Sequence, residues 1–169
     1  MSIPLRWFEA LEQSPVAAAL AESALAYPLV EGLHLIGLAV SVGLLVLTDL
    51  RLLGLFLREV PADQVLHQLR PWTLGGFAVT FVSGLLLFIA SATSLIDNPA
   101  FLLKLLFIVL AGINALYFEF RLARRPTAWV AAVRLPTAVR YAGAASLGLW
   151  TLVVITGRLI PYVQTGPAS

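Results

Sequence analysis

Few side chains in this sequence are suited to chemistry. There are two histidines, His34 and His67, no cysteine, and one methionine, Met1. Without cysteine there are no disulfides, iron–sulfur clusters, thiolate metal sites or covalent haem attachments. Without an internal methionine no helix can offer a thioether ligand. Four ionisable residues interrupt otherwise apolar stretches: Glu31, His34, Lys104 and Arg158. A charged group inside a bilayer costs at least about 2.5 kcal/mol unless it is paired or hydrated, so each needs a reason. Glu31 and His34 stand three residues apart and share a helix face. Neutral imidazole is the commonest protein ligand for iron, copper and zinc. His34 is therefore a candidate ligand for haem b or a copper ion. Glu31 would orient or tune it, and Lys104 and Arg158 would hold anionic groups such as haem propionates. The competing reading is a salt-bridge network, Glu31 with Arg158 or Lys104, that only pins helix register. His67, in His67-Gln68-Leu69-Arg70-Pro71-Trp72, reads as a solvated interface histidine. A second axial ligand would then come from His34 of another copy across a dimer axis.

These residues sit in a chain built for lipid. Of its 169 residues 60% are hydrophobic and 12% charged, against roughly 25% charged in soluble domains. A span needs about 20 apolar residues, and four stretches qualify. The first runs from about Leu29 to Leu47 and continues towards Leu57. The others are Thr73 to Ile96, Ala100 to Phe120 and Tyr141 to Val163. Backbone groups in hydrocarbon must bond within their own segment, so each stretch is predicted to be a helix. Pro71, Asn98-Pro99 and Pro136 mark boundaries, Asn98 as cap and Pro99 as first-turn proline. The expectation is an all-α integral membrane protein: a four-transmembrane-helix bundle with short interfacial helices at the N-terminus. Its parts are an interfacial amphipathic segment at 1–26, a four-helix transmembrane domain at 27–163 with spans of about 29–50, 72–96, 100–120 and 141–163, and a flexible tail at 164–169.

Charge sets the expected orientation. The loops between spans one and two and between three and four hold Arg51, Arg58, Arg70, Arg121, Arg124, Arg125, Arg134 and Arg140. The other side holds only Arg6, Lys104 and Arg158. The positive-inside rule turns the first group to the cytoplasm and both termini to the periplasm. The net charge of +2 leaves no basic patch for nucleic acid. Leu5 to Ala26 mixes Arg6, Glu9, Glu12 and Glu22 with Trp7, Phe8 and Leu11, so it is expected to lie on the membrane surface. Thr127 to Val133, with Trp129, is a similar piece. With this topology Glu31, His34, Lys104 and Arg158 fall within roughly one 10 Å slab near the outer face.

Small and polar residues suggest which faces turn inward. On span one these are Glu31, His34, Gly37, Ser41 and Thr48. On span two they are Gly76, Thr80 and Gly84 with Ser83, and on span three Lys104, Ala111 and Asn114. On span four they are Ala144, Gly148, Thr151, Arg158 and Tyr162. Asp49, Arg51, Arg70, Glu119, Arg121 and Arg140 form a second charged layer, read as cytoplasmic anchors with pairing acids.

The sequence contains no hydrolase elbow, phosphate loop, HExxH helix or nucleotide fingerprint, so catalysis is not expected. Tyr27-Pro28 with Glu31, His34 and Gly37, Asp49-Leu50-Arg51-Leu52-Leu53-Gly54, Pro71-Trp72, Asn98-Pro99-Ala100-Phe101 with Lys104, Ala111-Gly112-Ile113-Asn114, and Gly157-Arg158-Leu159-Ile160 resemble a family of small bacterial inner-membrane proteins of unknown function. The resemblance runs from Tyr27 to Val163 and implies a multi-pass protein of the inner membrane, without a carried-over activity. More distantly, the architecture resembles copper-resistance D membrane domains and b-type cytochrome membrane subunits. The expected function is a small membrane-embedded binding or redox-associated module. The alternatives are a structural subunit, alone as a homo-oligomer or within a membrane complex, and a small transporter or channel.

Overall fold

In the computed structural model, which describes residues 3–123 and 135–163, every regular element is helical. The helices are α1 (Ile3–Glu12), α2 (Pro15–Glu22), α3 (Ala26–Leu53), α4 (Ala62–Ala90), α5 (Ala92–Ile96), α6 (Pro99–Tyr117) and α7 (Thr137–Leu159). A π-helical turn, Phe118–Ala123, extends α6, and a 3-10 turn, Ile160–Tyr162, extends α7. Arg124, Arg125, Arg134, the piece around Trp129 and the tail 164–169 lie outside the described residues.

Four segments are long and apolar enough to cross a membrane: Ala26–Leu53, Ala62–Ala90, Pro99–Arg121 and Thr137–Tyr162. Only 6 to 17% of their most apolar windows is buried within the protein. Leu29, Leu33, Ile36, Phe81, Val82, Ile113 and Leu116 all point outward. An apolar surface this continuous has no stable contact with water, and lipid is the solvent that covers it. The chain is a multi-pass membrane protein with the all-α four-helix architecture expected from its sequence.

Local chemistry explains where the helices stop. At the end of α3, Gly54 adopts φ 73°, and its N–H bonds the carbonyls of Arg51 and Leu50. This left-handed terminus favours glycine. Asn98 caps α6 through Oδ1, which accepts from the N–H groups of Ala100 (3.0 Å) and Phe101 (3.3 Å), with Pro99 in the first turn. Helix α4 begins at Ala62, well before its most apolar stretch, so Pro71 lies inside the helix. Tertiary packing accounts for the extension. Ala62 and Val65 are buried, and Ala62 joins Leu52 and Val139 in a small core with Leu66, Phe118 and Leu135 around it. Burying this stripe outweighs the single backbone bond lost at the proline.

α3 and α4 form the most extensive helix pair, α6 and α7 the next, and α3 packs on α7 to join them. Side chains bridge α4 to the second pair. Phe88 stacks on Phe101 at 5.6 Å, Phe77 meets Trp150 at 4.7 Å, and Arg70 pairs with Glu119 at 2.6 Å.

The segment α1–α2 folds across one end of the bundle, hereafter the near end, where α3 starts and α7 stops. Ser14 caps α2 by accepting from Ala17 N–H at 3.3 Å. Glu12 accepts from the Thr93 N–H at 2.9 Å and from its hydroxyl at 2.9 and 2.8 Å, while Phe8 meets Phe88 edge-on at 6.2 Å. A carboxylate thus caps the first turn of α5 from another helix. Charged hydrogen bonds contribute roughly 1.5–3 kcal/mol, so Glu12→Ala should release α1. Hydrogen exchange across 3–22 is expected to accelerate about tenfold or more while exchange within α3 stays unchanged. Equal rates in variant and wild type would show that Phe8 alone holds α1.

Candidate functional site

The near-end half of the α3–α4 interface begins with glycine. A Cβ on Gly37 would stand 2.7 Å from Thr80 Oγ1, and one on Gly76 would stand 2.8 Å from the Ser41 backbone nitrogen. The two backbones therefore touch, and no larger residue fits without moving them. Ser41 is fully buried in this seam and Ser83 nearly so.

His34 enters the seam one turn before Gly37. Its Nδ1 lies 2.9 Å from the Thr80 carbonyl oxygen and 3.2 Å from Ser83 Oγ. A carbonyl can only accept, so Nδ1 carries the proton and donates. Ser83 commits its own hydroxyl proton to the Val79 carbonyl at 2.6 Å. In the neutral ring Nε2 is then left with an in-plane lone pair. The ring can lie this close to α4 because residue 84 is glycine: a Cβ there would sit 2.9 Å from His34 Cε1. An Nδ1–H held by a backbone carbonyl fixes both tautomer and ring plane, as it does for histidines that bind metals through the other nitrogen.

Lys104 reaches the same region from α6. Its Cδ, Cε and Nζ pass 3.6–3.7 Å from the point where a Cβ on Gly157 would stand. Glycine thus clears the path for His34 at position 84, whereas a Cβ at position 157 would meet Lys104 only in ordinary van der Waals contact. Lys104 and Glu31 are both near enough to act on His34 electrostatically. All three stand towards the near end, His34 and Lys104 half-buried and Glu31 exposed.

Two other features differ from the expected layer. Glu31 forms no ion pair with Lys104 or Arg158; it is exposed at the start of α3. Arg158 also faces outward, with its guanidinium 6.0 Å from the centre of the Tyr162 ring. The whole expected inward stripe of α7, Ala144, Gly148, Thr151, Arg158 and Tyr162, is exposed. The buried face carries Val139, Ala142, Gly143, Val153 and Thr156 instead. Thr151 meets its own needs by donating to the Leu147 carbonyl at 2.8 Å, so a threonine can face lipid at little cost. His67 is exposed on α4.

Asn98 fastens the near end. Besides capping α6, its Nδ2 donates to the carbonyls of Ile160 (3.0 Å) and Val163 (2.7 Å). One buried side chain starts α6 and holds the end of α7. The sequence marks Asn98 only as a cap. Thr80, Ser83 and Gly84 appear in it only as a small-residue series, and pairing a polar series on one span with the lone histidine of another is the signal that would have found them.

Among the described residues no group of three or more His, Cys, Asp or Glu side chains converges as a metal cluster. What the arrangement offers is one oriented imidazole nitrogen with a lysine ammonium nearby. No curated protein and no solved structure matches the chain significantly. Residues 22–163, all four spans included, match a family of unknown function, DUF6644, and the chain belongs to that family.

Proposed function

We propose that this protein is a small binding or redox-associated module of a bacterial inner membrane, centred on His34, which ligates haem b or a copper ion through Nε2. The observation that carries the reading is the Nδ1–H···O=C bond to Thr80 at 2.9 Å. In the neutral ring it leaves Nε2 unprotonated and fixed in direction, as an axial or copper ligand must be. Lys104 would supply positive charge to anionic groups of the occupant, and Glu31 would modulate the field. Arg158, exposed beside Tyr162, would serve only an occupant extending to the protein surface. Because His67 lies at the far end of the bundle, one histidine per chain stands at this level, which leaves a second axial position to His34 of another copy or to a partner subunit. The abundance of arginine at the far end, including Arg51, Arg70, Arg121 and Arg140, supports an orientation with that end in the cytoplasm and both termini in the periplasm.

The test compares wild type with His34→Ala and Arg158→Ala, each purified from cells supplied with haem precursor and copper. His34→Ala is expected to lose at least about 90% of the bound haem or copper, because removing the sole strong ligand leaves no comparable donor. Arg158→Ala should keep most of it. Full occupancy in His34→Ala would end the proposal.

A structural subunit is the second reading, and one observation favours it. The α3–α4 face carries a shallow apolar groove of about 550 Å³ between Leu33, Ile36, Val40, Trp72 and Val79. A neighbouring transmembrane helix would fit there as well as lipid does.

A further inference from the structure

Helix α3 carries another ionisable side chain, Asp49, near its far end and about 22 Å along the axis from His34. Asp49 is 4% exposed, which makes it the most deeply buried acid among the described residues. It faces α7, where Ser146 offers a hydroxyl within reach of its carboxyl group. Oδ2 is buried and has no hydrogen-bond partner. The helices close tightly around it: a Cβ on Gly143 would stand 3.1 Å from Leu52 Cβ and 3.4 Å from the Asp49 carbonyl oxygen.

Charged groups on the surrounding elements are occupied elsewhere or point away. On α3, Arg51 Nε donates to the Val60 carbonyl at 2.8 Å. On α4, Arg70 pairs with Glu119 of the π-helical turn at 2.6 Å, and Asp63 and His67 are exposed. On α7, Arg140 is exposed. Asn114 of α6 gives its amide to the Ala142 carbonyl at 3.0 Å. Among the described residues no cation lies within ion-pair distance of Asp49.

An ionised carboxylate here would have the Ser146 hydroxyl and, among the described residues, no counter-ion, which costs several kcal/mol of desolvation. A metal cation would need about six oxygen ligands, and among the described residues a carboxyl and one hydroxyl converge. A proton meets the need. It removes the charge, and the acid O–H can donate to the Ser146 oxygen. Oδ2 then remains as an uncharged carbonyl oxygen, the polar atom most readily buried without a partner.

We propose that Asp49 and Ser146 form a proton-binding site between α3 and α7, with Asp49 carrying the proton at neutral pH. The site is independent of any occupant at His34.

Infrared spectroscopy of the full chain in lipid nanodiscs at pH 7 tests it. The wild type is expected to show a carboxylic acid C=O band that shifts on transfer to heavy water and disappears in Asp49→Asn. Ser146→Ala should keep the band and move it, because its hydrogen-bond partner is gone. A wild-type minus Asp49→Asn difference containing only carboxylate bands, or no difference, would overturn the proposal. If Asp49→Asn does not accumulate, the Ser146→Ala comparison decides: a band in the same place, or no acid band in the wild type, refutes it.

Discussion

Asn98→Ala will unfold the near end of the bundle at markedly lower temperature than wild type, with a stability loss of about 3 kcal/mol. Three contributions add. Losing the cap of α6 costs roughly 1 kcal/mol. The carbonyls of Ile160 and Val163 lose their donor, and each lost bond to a part-buried group costs on the order of 1 kcal/mol. Asn98→Asp separates the contributions. Aspartate caps as well as asparagine, but its carboxylate cannot donate and would face two carbonyl oxygens. It should therefore be at least as unstable as the alanine variant. Thermal unfolding in one detergent, followed by circular dichroism, measures both. An aspartate variant of wild-type stability would mean that the tie between α6 and α7 contributes nothing and that only the cap matters.

Gly76→Ala will destabilise the protein by about 1–3 kcal/mol, the usual range for overpacking a close contact. The new methyl group would lie 2.8 Å from the Ser41 backbone nitrogen and 3.1 Å from the Gly37 carbonyl oxygen. Backbone cannot turn aside as a side chain can, so α3 and α4 must separate. The shift would carry the Thr80 carbonyl away from His34, and any His34-bound cofactor should bind more weakly as well. Gly43→Ala is the matched control on α3, since nothing lies within 4 Å of its added Cβ. A helix-interior glycine replaced without a clash gains up to roughly 1 kcal/mol. Opposite signs at positions 76 and 43 would locate the seam. Equal effects would mean that helix propensity, not contact, governs both.

The parts of the fold that are legible in the sequence are those set by solvent and by local geometry. Hydrocarbon demands long apolar helices, so the four spans stand out in composition alone. Asn98-Pro99 announces a helix start because capping depends on residues adjacent in sequence, whereas the left-handed Gly54 that ends α3 does not read as a stop in a span expected to run on towards Leu57. Rotation about each helix axis is harder to read. In water the apolar stripe points inward, whereas in lipid apolar residues are at home on every face. Small residues on α7, Ala144 and Gly148, therefore pass for an interface although they face out, while Val139 and Val153 fill the inside. The start of α4 at Ala62 is hidden for a related reason. Hydropathy reports the membrane-spanning part of a helix and not the extension that packs on Leu52 and Val139.

The polar site divides along the same line. Depth follows from counting residues, which sets His34, Glu31 and Lys104 towards the same end of the bundle. Orientation does not follow, and Arg158 turns out to face outward although its neighbour Gly157 packs beside Lys104. Asp49 shows the reverse case. Its place beside Arg51 suggests a surface anchor, yet the tight approach of Gly143 to Leu52 draws it inside.

The most direct measurement of the central claim, a ligating His34, is a reduced-minus-oxidised absorption spectrum of the purified wild-type protein with metal analysis of the same sample. A ligating His34 should give a Soret band that sharpens and shifts on reduction, or bound copper without one, in proportion to the protein. A colourless and metal-free protein from cells supplied with both haem precursor and copper would contradict it and leave His34 as a packing residue of the α3–α4 seam.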